Sequence, residues 1–198
     1  TYILPQIEQL LHRSDLDLDQ LDYIAYNQGP GSFTGLRIGL SVALGLAYAK
    51  KITLVPIPTF FLYLEPQTKA QNLIVTLDAR LGQIYLAVFN QTSLNYLIPP
   101  CLINPQELMQ ILAEAKSINP ENSLIVGNGF EVYQAQLDPS LNNFNYQNYD
   151  YPTTQNMLNL VKQQQLPSCP LFEADLLYLR NKVALNLTEQ KNARDANK

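Results

Sequence analysis

Hydrophobic positions along the chain follow two rhythms, one helical and one alternating. Ile3, Ile7, Leu10 and Leu11 recur at helical spacing over residues 2–13, with Pro5 in the first turn, where a missing N–H is harmless. A polar connector from Ser14 to Asp22 leads into a short strand at Tyr23–Tyr26, which Gly29-Pro30-Gly31 ends. Phe33–Lys50 predicts a long helix capped by Ser32, and Leu54–Ile57 a strand followed by a helix over Phe60–Thr68. Leu73–Leu77 and Ile84–Phe89 read as a hairpin joined through Asp78-Ala79-Arg80-Leu81-Gly82-Gln83, with Leu94–Ile103 as a third strand. Asn104-Pro105-Gln106-Glu107 carries the cap, the proline and the acid of a helix start. Ser123–Val126 predicts a strand, Gly127-Asn128-Gly129 a turn, Phe130–Leu137 a short helix and Pro152–Gln165 another.

Strands alternating with helices predict an α/β architecture. A strand, a Gly-x-Gly turn and a helix occur at Gly29/Gly31 and again at Gly127/Gly129. That repetition predicts a duplicated β-β-β-α-β-α unit whose first copy lacks its opening strands. The expected organisation is an N-terminal lobe over 1–70, a C-terminal lobe over 71–188 and a polar, frayed tail over 189–198.

Composition then narrows the chemistry. With 198 residues and a net charge of −4, the chain does not carry the basic footprint of a stand-alone nucleic-acid binder. Its longest apolar stretch, Ile52 to Leu64, holds two prolines and is too short to span a bilayer, so no membrane is expected. Cys101 and Cys169 form no Cys-x-x-Cys pair and read as buried free thiols of a reduced, cytoplasmic chain. His12 is the only histidine, which excludes a Ser-His-Asp triad and a multi-histidine metal site. Asp15, Asp17 and Asp19 begin like a calcium loop, but Gln20 and Tyr26 stand where Gly and Glu are required, so caps and turns account for them better. Asp78 and Glu173 are candidate carboxylates that no spacing brings together; Asp78 is expected to brace the hairpin turn by pairing with Arg80. Tyr146, Tyr149 and Tyr151 read as a loop pinned to the core.

Five of the 8 glycines lie between Gly29 and Gly45. A P-loop is excluded because Leu36 follows where Lys is required, and a dinucleotide fingerprint because Thr34 takes the third glycine's place. Gly31, Gly35, Gly39, Ala43 and Ala47 instead recur every four residues, a side-chain-poor row along a helix that is apolar nearly all round. Each mid-helix glycine costs about 1 kcal/mol relative to alanine, which calls for a compensating close contact. That contact is either the chain's own core or a second polypeptide. Arg37, the only charge between Asp22 and Lys50, suits an interface because its fork pairs with carboxylates. Free N–H groups at Ser32–Thr34 could also hold an anion.

The segment from Gly29 to Gly39, Gly-Pro-Gly-Ser-Phe-Thr-Gly-Leu-Arg-Ile-Gly, resembles the signature of the TsaB (YeaZ) family. The likeness extends to Leu77-Asp78-Ala79-Arg80 with Gly82, Ile84 and Tyr85, to Val126-Gly127-Asn128-Gly129, and to Tyr178-Leu179-Arg180 with Val183-Ala184. It implies an actin-like ATPase (ribonuclease-H-like) fold of two related lobes, the first incomplete here because the family's opening strands are absent. It further implies a non-catalytic scaffold for threonylcarbamoyl modification of the tRNA adenosine beside the anticodon. The family pairs with its catalytic paralogue TsaD and with TsaE, forms a homodimer without them, and meets tRNA only through the complex. Carried over by position, Gly31, Ser32, Phe33, Thr34, Gly35, Arg37, Ile38 and Gly39, with Ile7 and Leu11, would form the pairing surface. No cofactor is implied beyond a nucleotide at that surface. The competing reading is a self-contained nucleotide-dependent enzyme of the same superfamily. Without the opening strands, the isolated chain is expected to expose apolar sheet and to aggregate.

Overall fold

Helix α1 (Ile3–Arg13) leads through a 3₁₀ turn to strand β1 (Tyr23–Gly29), helix α2 (Phe33–Lys50) and strand β2 (Thr53–Pro58). Three strands follow, β3 (Asn72–Asp78), β4 (Ile84–Asn90) and β5 (Tyr96–Ile103), then helix α3 (Leu108–Glu114) and strand β6 (Ser123–Val126). The short helix α4 (Gly129–Val132), strand β7 (Asn145–Gln147) and helix α5 (Thr154–Lys162) complete the elements. The structure is a computed structural model that describes residues 2–64, 68–148, 152–163 and 166–180. Residues 181–198, with the expected tail and the end of the C-terminal lobe, lie outside the described residues, as do Tyr149 and Tyr151.

β1 and β2 pair in parallel, and a five-stranded sheet has the order β5-β4-β3-β6-β7. Within it β3, β4 and β5 form an antiparallel meander, while β6 joins β3 and β7 joins β6 in parallel. Each lobe thus contains a strand, a Gly-x-Gly turn, a helix and a parallel partner strand, as the repeated motif predicts.

β3 reads Asn-Leu-Ile-Val-Thr-Leu-Asp because both of its faces are covered. Leu73, Val75 and Leu77 face a core shared with Val55 and Ile57 of β2. Ile74 faces a second core with Ile84, Leu86, Val88, Leu108 and Ile125. Each fully buried side chain of this kind contributes roughly 1.5–3 kcal/mol. A third core seats Leu36, Ala43 and Ala47 of α2 on Tyr26 and Leu54. The extended segment 174–180 crosses back from the second lobe: Leu177 N–H donates to Gln28 O at 2.8 Å and Tyr26 Oη donates to Asp175 O at 3.0 Å. It delivers Tyr178 to the start of α2.

Several boundaries differ from expectation. The helix expected over Phe60–Thr68 is a 3₁₀ turn, Thr59–Tyr63, all of it buried. A run with no polar side has no solvent face to lay along an α-helix, and the tighter turn spreads its side chains into the core on every side. Leu94 stands in a turn at φ 57°, so β5 begins at Tyr96. Phe130–Leu137 divides into α4 and a 3₁₀ turn at Gln134–Gln136. α5 starts at Thr154 because the Thr153 hydroxyl accepts from Asn156 N–H. Tyr146, expected in a loop, sits in β7 opposite Ile125 with its ring 4.6 Å from that of Phe130. Three polar-flanked residues are too few to display strand alternation.

Candidate partner-binding face

α2 is held at its start by Ser32, whose Oγ accepts from Gly35 N–H at 3.3 Å, and ends at Lys51 in the left-handed region with φ 57°. A four-residue step advances about 40° beyond a full turn, so a row at that spacing winds around the helix. Gly31 and Gly35 are exposed, Gly39 is half-buried, and Ala43 and Ala47 are 5% and 1% exposed. The expected bare row is therefore half surface and half core, its second half lying on the chain's own sheet. Of this helix, apolar nearly all round, only Leu36, Ala43 and Ala47 are buried in the chain's own core.

Gly45, nine residues from Leu36 and about 180° around the helix, marks the outward direction. Ser41, Gly45 and Ala49 run along that side at four-residue spacing, all exposed, with Ile38 52% exposed beside them. A Cβ added at Gly39 or Gly45 would meet nothing within 4 Å, whereas one at Gly35 would press on Ser32 Oγ at 3.3 Å. Sequence reasoning passed over Ser41, Gly45 and Ala49. Their spacing is visible in the text, but only the sheet decides which side of an all-apolar helix points away.

No residue of α1 is buried, although Ile3, Leu4, Ile7, Leu10 and Leu11 share one side of it. Ile7 and Leu11 are half-buried, while Ile3, Leu4 and Leu10 are exposed. Leu11 lines a cavity of about 520 Å³ with Leu16, Leu18 and Lys50. Lys50 pairs with Asp19 at 2.8 Å, which sets this turn beside the end of α2. Asp17 caps the 3₁₀ turn Leu18–Gln20, so these aspartates serve as caps and surface ion pairs. Two helices thus present apolar side chains that the described residues leave uncovered.

At the start of α2, Arg37 lies on rings rather than on a carboxylate. Its guanidinium carbon is 3.7 Å from the centroid of Phe33 and 5.8 Å from that of Tyr178. Its Nε–H donates to Tyr178 Oη at 3.0 Å. Phe33, one turn earlier, and Tyr178, brought from residue 178, are 5.9 Å apart. Thr34 is exposed beside them.

Gly31 and Ser32 turn from this face into a cleft of about 580 Å³ between the lobes, lined also by Asn27, Thr59, Asp78 and Asn128. Asp78 braces the hairpin turn as expected. Its Oδ1 accepts from Arg80 N–H and from Tyr133 Oη, each at 2.7 Å, and its Oδ2 lies 3.1 Å from Arg80 Nη1. Arg180 Nη2 donates to Ala79 O at 3.0 Å and Arg80 O at 3.2 Å, clamping a turn whose residues 80, 81 and 82 all have positive φ. Burial and the Asp78 hydrogen bond push the Tyr133 phenol above its ordinary value. Glu173 sits in a separate 3₁₀ turn, Leu171–Glu173. Both cysteines are free and half-buried. Among the described residues no group of three His, Cys, Asp or Glu side chains could hold a metal ion, and no helix is long and apolar enough to cross a membrane.

Comparison with known proteins identifies the fold that carries this face. The family described as TsaD, tRNA N6-adenosine threonylcarbamoyltransferase, matches residues 1–192. The chain belongs to that family. Within it the chain is of the TsaB (YeaZ) kind. It is 28% identical over 191 residues to the tRNA threonylcarbamoyladenosine biosynthesis protein TsaB of Haemophilus influenzae, covering 91% of this chain and 79% of that protein. It is 33% identical over 92 residues to the protein of the same name in Escherichia coli, covering 45% of this chain and 40% of that one. The solved structure of YeaZ from Pseudomonas aeruginosa superposes with a TM-score of 0.74 at 20% identity, over 89% of this chain and 82% of that one. The TsaB fold is thus the expected actin-like, two-lobed α/β arrangement.

Proposed function

We propose that this chain is a non-catalytic partner subunit for threonylcarbamoyl modification of tRNA, acting in the cytoplasm by dimerising with the catalytic paralogue TsaD. The observation that carries the reading is the outward side of α2, where Ser41, Gly45 and Ala49 leave a shallow small-residue track with room for another backbone. The uncovered apolar side of α1 extends that surface. A helix that retains glycine where alanine would fit loses stability, and close approach of a second helix is the compensating gain. In this assembly TsaE and tRNA are met through the complex, and a homodimer uses the same face when TsaD is absent.

Co-purification of the chain with TsaD tests this. Gly45→Trp, which has open space around it, is expected to abolish co-purification while the melting temperature stays within a few degrees of the parent. Threonylcarbamoyladenosine formation is expected only when both subunits are present. Modification by this chain alone would overturn the accessory role. The polar cleft at Asn27, Thr59 and Asn128 favours the second reading, a nucleotide-dependent enzyme; ATP turnover by the purified chain, lost in Asn128→Ala, would support it instead.

A further inference from the structure

Arg37 is the one charge in an otherwise uncharged stretch, from Tyr23 to Ala49, that supplies the outward side of α2. Its planar guanidinium is stacked 3.7 Å over Phe33, and its Nε–H is committed to Tyr178 Oη at 3.0 Å. An arginine carries five N–H donors, so the N–H groups on Nη1 and Nη2 are left without an acceptor among the described residues. The stacking holds the fork in one orientation before anything binds, which reduces the rotamer freedom lost on association. Phe33 lies on α2 and Tyr178 on the segment that returns along β1, so two distant stretches of the chain hold the fork between them.

Docking a second subunit on this face would strip water from those donors. A buried cation left against apolar side chains is strongly unfavourable, whereas a carboxylate offers two oxygens matched to the fork and neutralises the charge. We infer that the partner bound on the α2 face contributes an Asp or Glu carboxylate that pairs with the Nη groups of Arg37, with the Phe33–Tyr178 ring pair holding the fork in place. This rests on the docking face proposed above and adds the chemistry of what meets it. The charge pair fixes the register of α2 on its partner, which a smooth small-residue track alone leaves free to slide.

The test measures the affinity of purified chain for purified TsaD by calorimetry, with Gly45→Trp as the steric control. Arg37→Met keeps the length and apolar stem of the side chain, and is expected to weaken binding about 30-fold or more, the scale for truncating one member of a buried charge pair. Arg37→Glu is expected to abolish binding. Reversing the charge of one interfacial acidic residue on TsaD to Arg is expected to restore it. Circular dichroism verifies that each variant is folded. If Gly45→Trp blocks binding but Arg37→Met binds within threefold of the parent, the face stands and the charge pair is overturned. If Arg37→Glu is lost and no charge reversal on TsaD restores it, the carboxylate assignment is overturned. If Gly45→Trp binds like the parent, the face itself is wrong, and the pairing falls with it.

Discussion

The Tyr133 hydroxyl donates a 2.7 Å hydrogen bond to Oδ1 of Asp78, joining the end of β3 to the residue that follows α4. The same carboxylate oxygen receives Arg80 N–H, so one side chain, 7% exposed, organises the hairpin turn and ties it to the next motif. Asp78→Ala leaves the Tyr133 hydroxyl and the Arg80 amide without their acceptor and is expected to lower stability by about 2 kcal/mol. Arg80→Ala is expected to cost under about 0.5 kcal/mol, because its side chain is 86% exposed and the ion pair is screened. Urea unfolding of the two variants checks the order; equal losses would mean that the carboxylate acts through the ion pair instead.

Glycines in this chain divide by what surrounds them. At Gly127, φ is +94° and an added Cβ would lie 2.4 Å from Thr76 O. Gly127→Ala is expected to destabilise by roughly 3 kcal/mol or more, since strain and a backbone clash act together. Gly45→Ala, with open space and helical backbone, is expected to stabilise the isolated chain by roughly 0.5–1 kcal/mol. Chemical denaturation of both variants should give opposite signs.

Tyr96 stacks on Phe61 at 5.2 Å and meets Phe89 at 6.2 Å, yet its buried hydroxyl has no hydrogen-bond partner among the described residues. Tyr96→Phe keeps the ring contacts and removes an unsatisfied polar atom. It is expected to be neutral or stabilising by about 1 kcal/mol. A melting temperature lowered by several degrees would show that the hydroxyl has an acceptor in solution.

Burial pushes the Tyr26 and Tyr96 phenols up to about 12. A phenol whose folded value lies above its unfolded value of 10.0 favours the folded state in its protonated form. Stability from both is therefore fully present below pH 10 and is lost as pH rises toward 12. Melting curves from pH 8 to 12 should fall in that window, and Tyr96→Phe should flatten the fall. A decline complete below pH 9 would assign it to other groups.

The sequence alone determined much of the local order. Ser32 at the head of α2, the Asn104–Glu107 capping pair, the β3–β4 hairpin and the Asp78–Arg80 brace are interactions among near neighbours, so their residue types and spacing are written side by side. The Gly29–Gly39 segment likewise carried the family. The phase of α2 was decided only by tertiary structure: a helix apolar on every side does not encode which side meets the sheet, and Leu36, Ala43 and Ala47 settle that by packing on Tyr26 and Leu54. The seat of Arg37 was equally out of reach, because Tyr178 lies 141 residues away and arrives only when segment 174–180 crosses back along β1. Contacts between neighbours follow from local propensity, whereas contacts between lobes depend on how the layers close. The face proposed for a partner was built by the second kind.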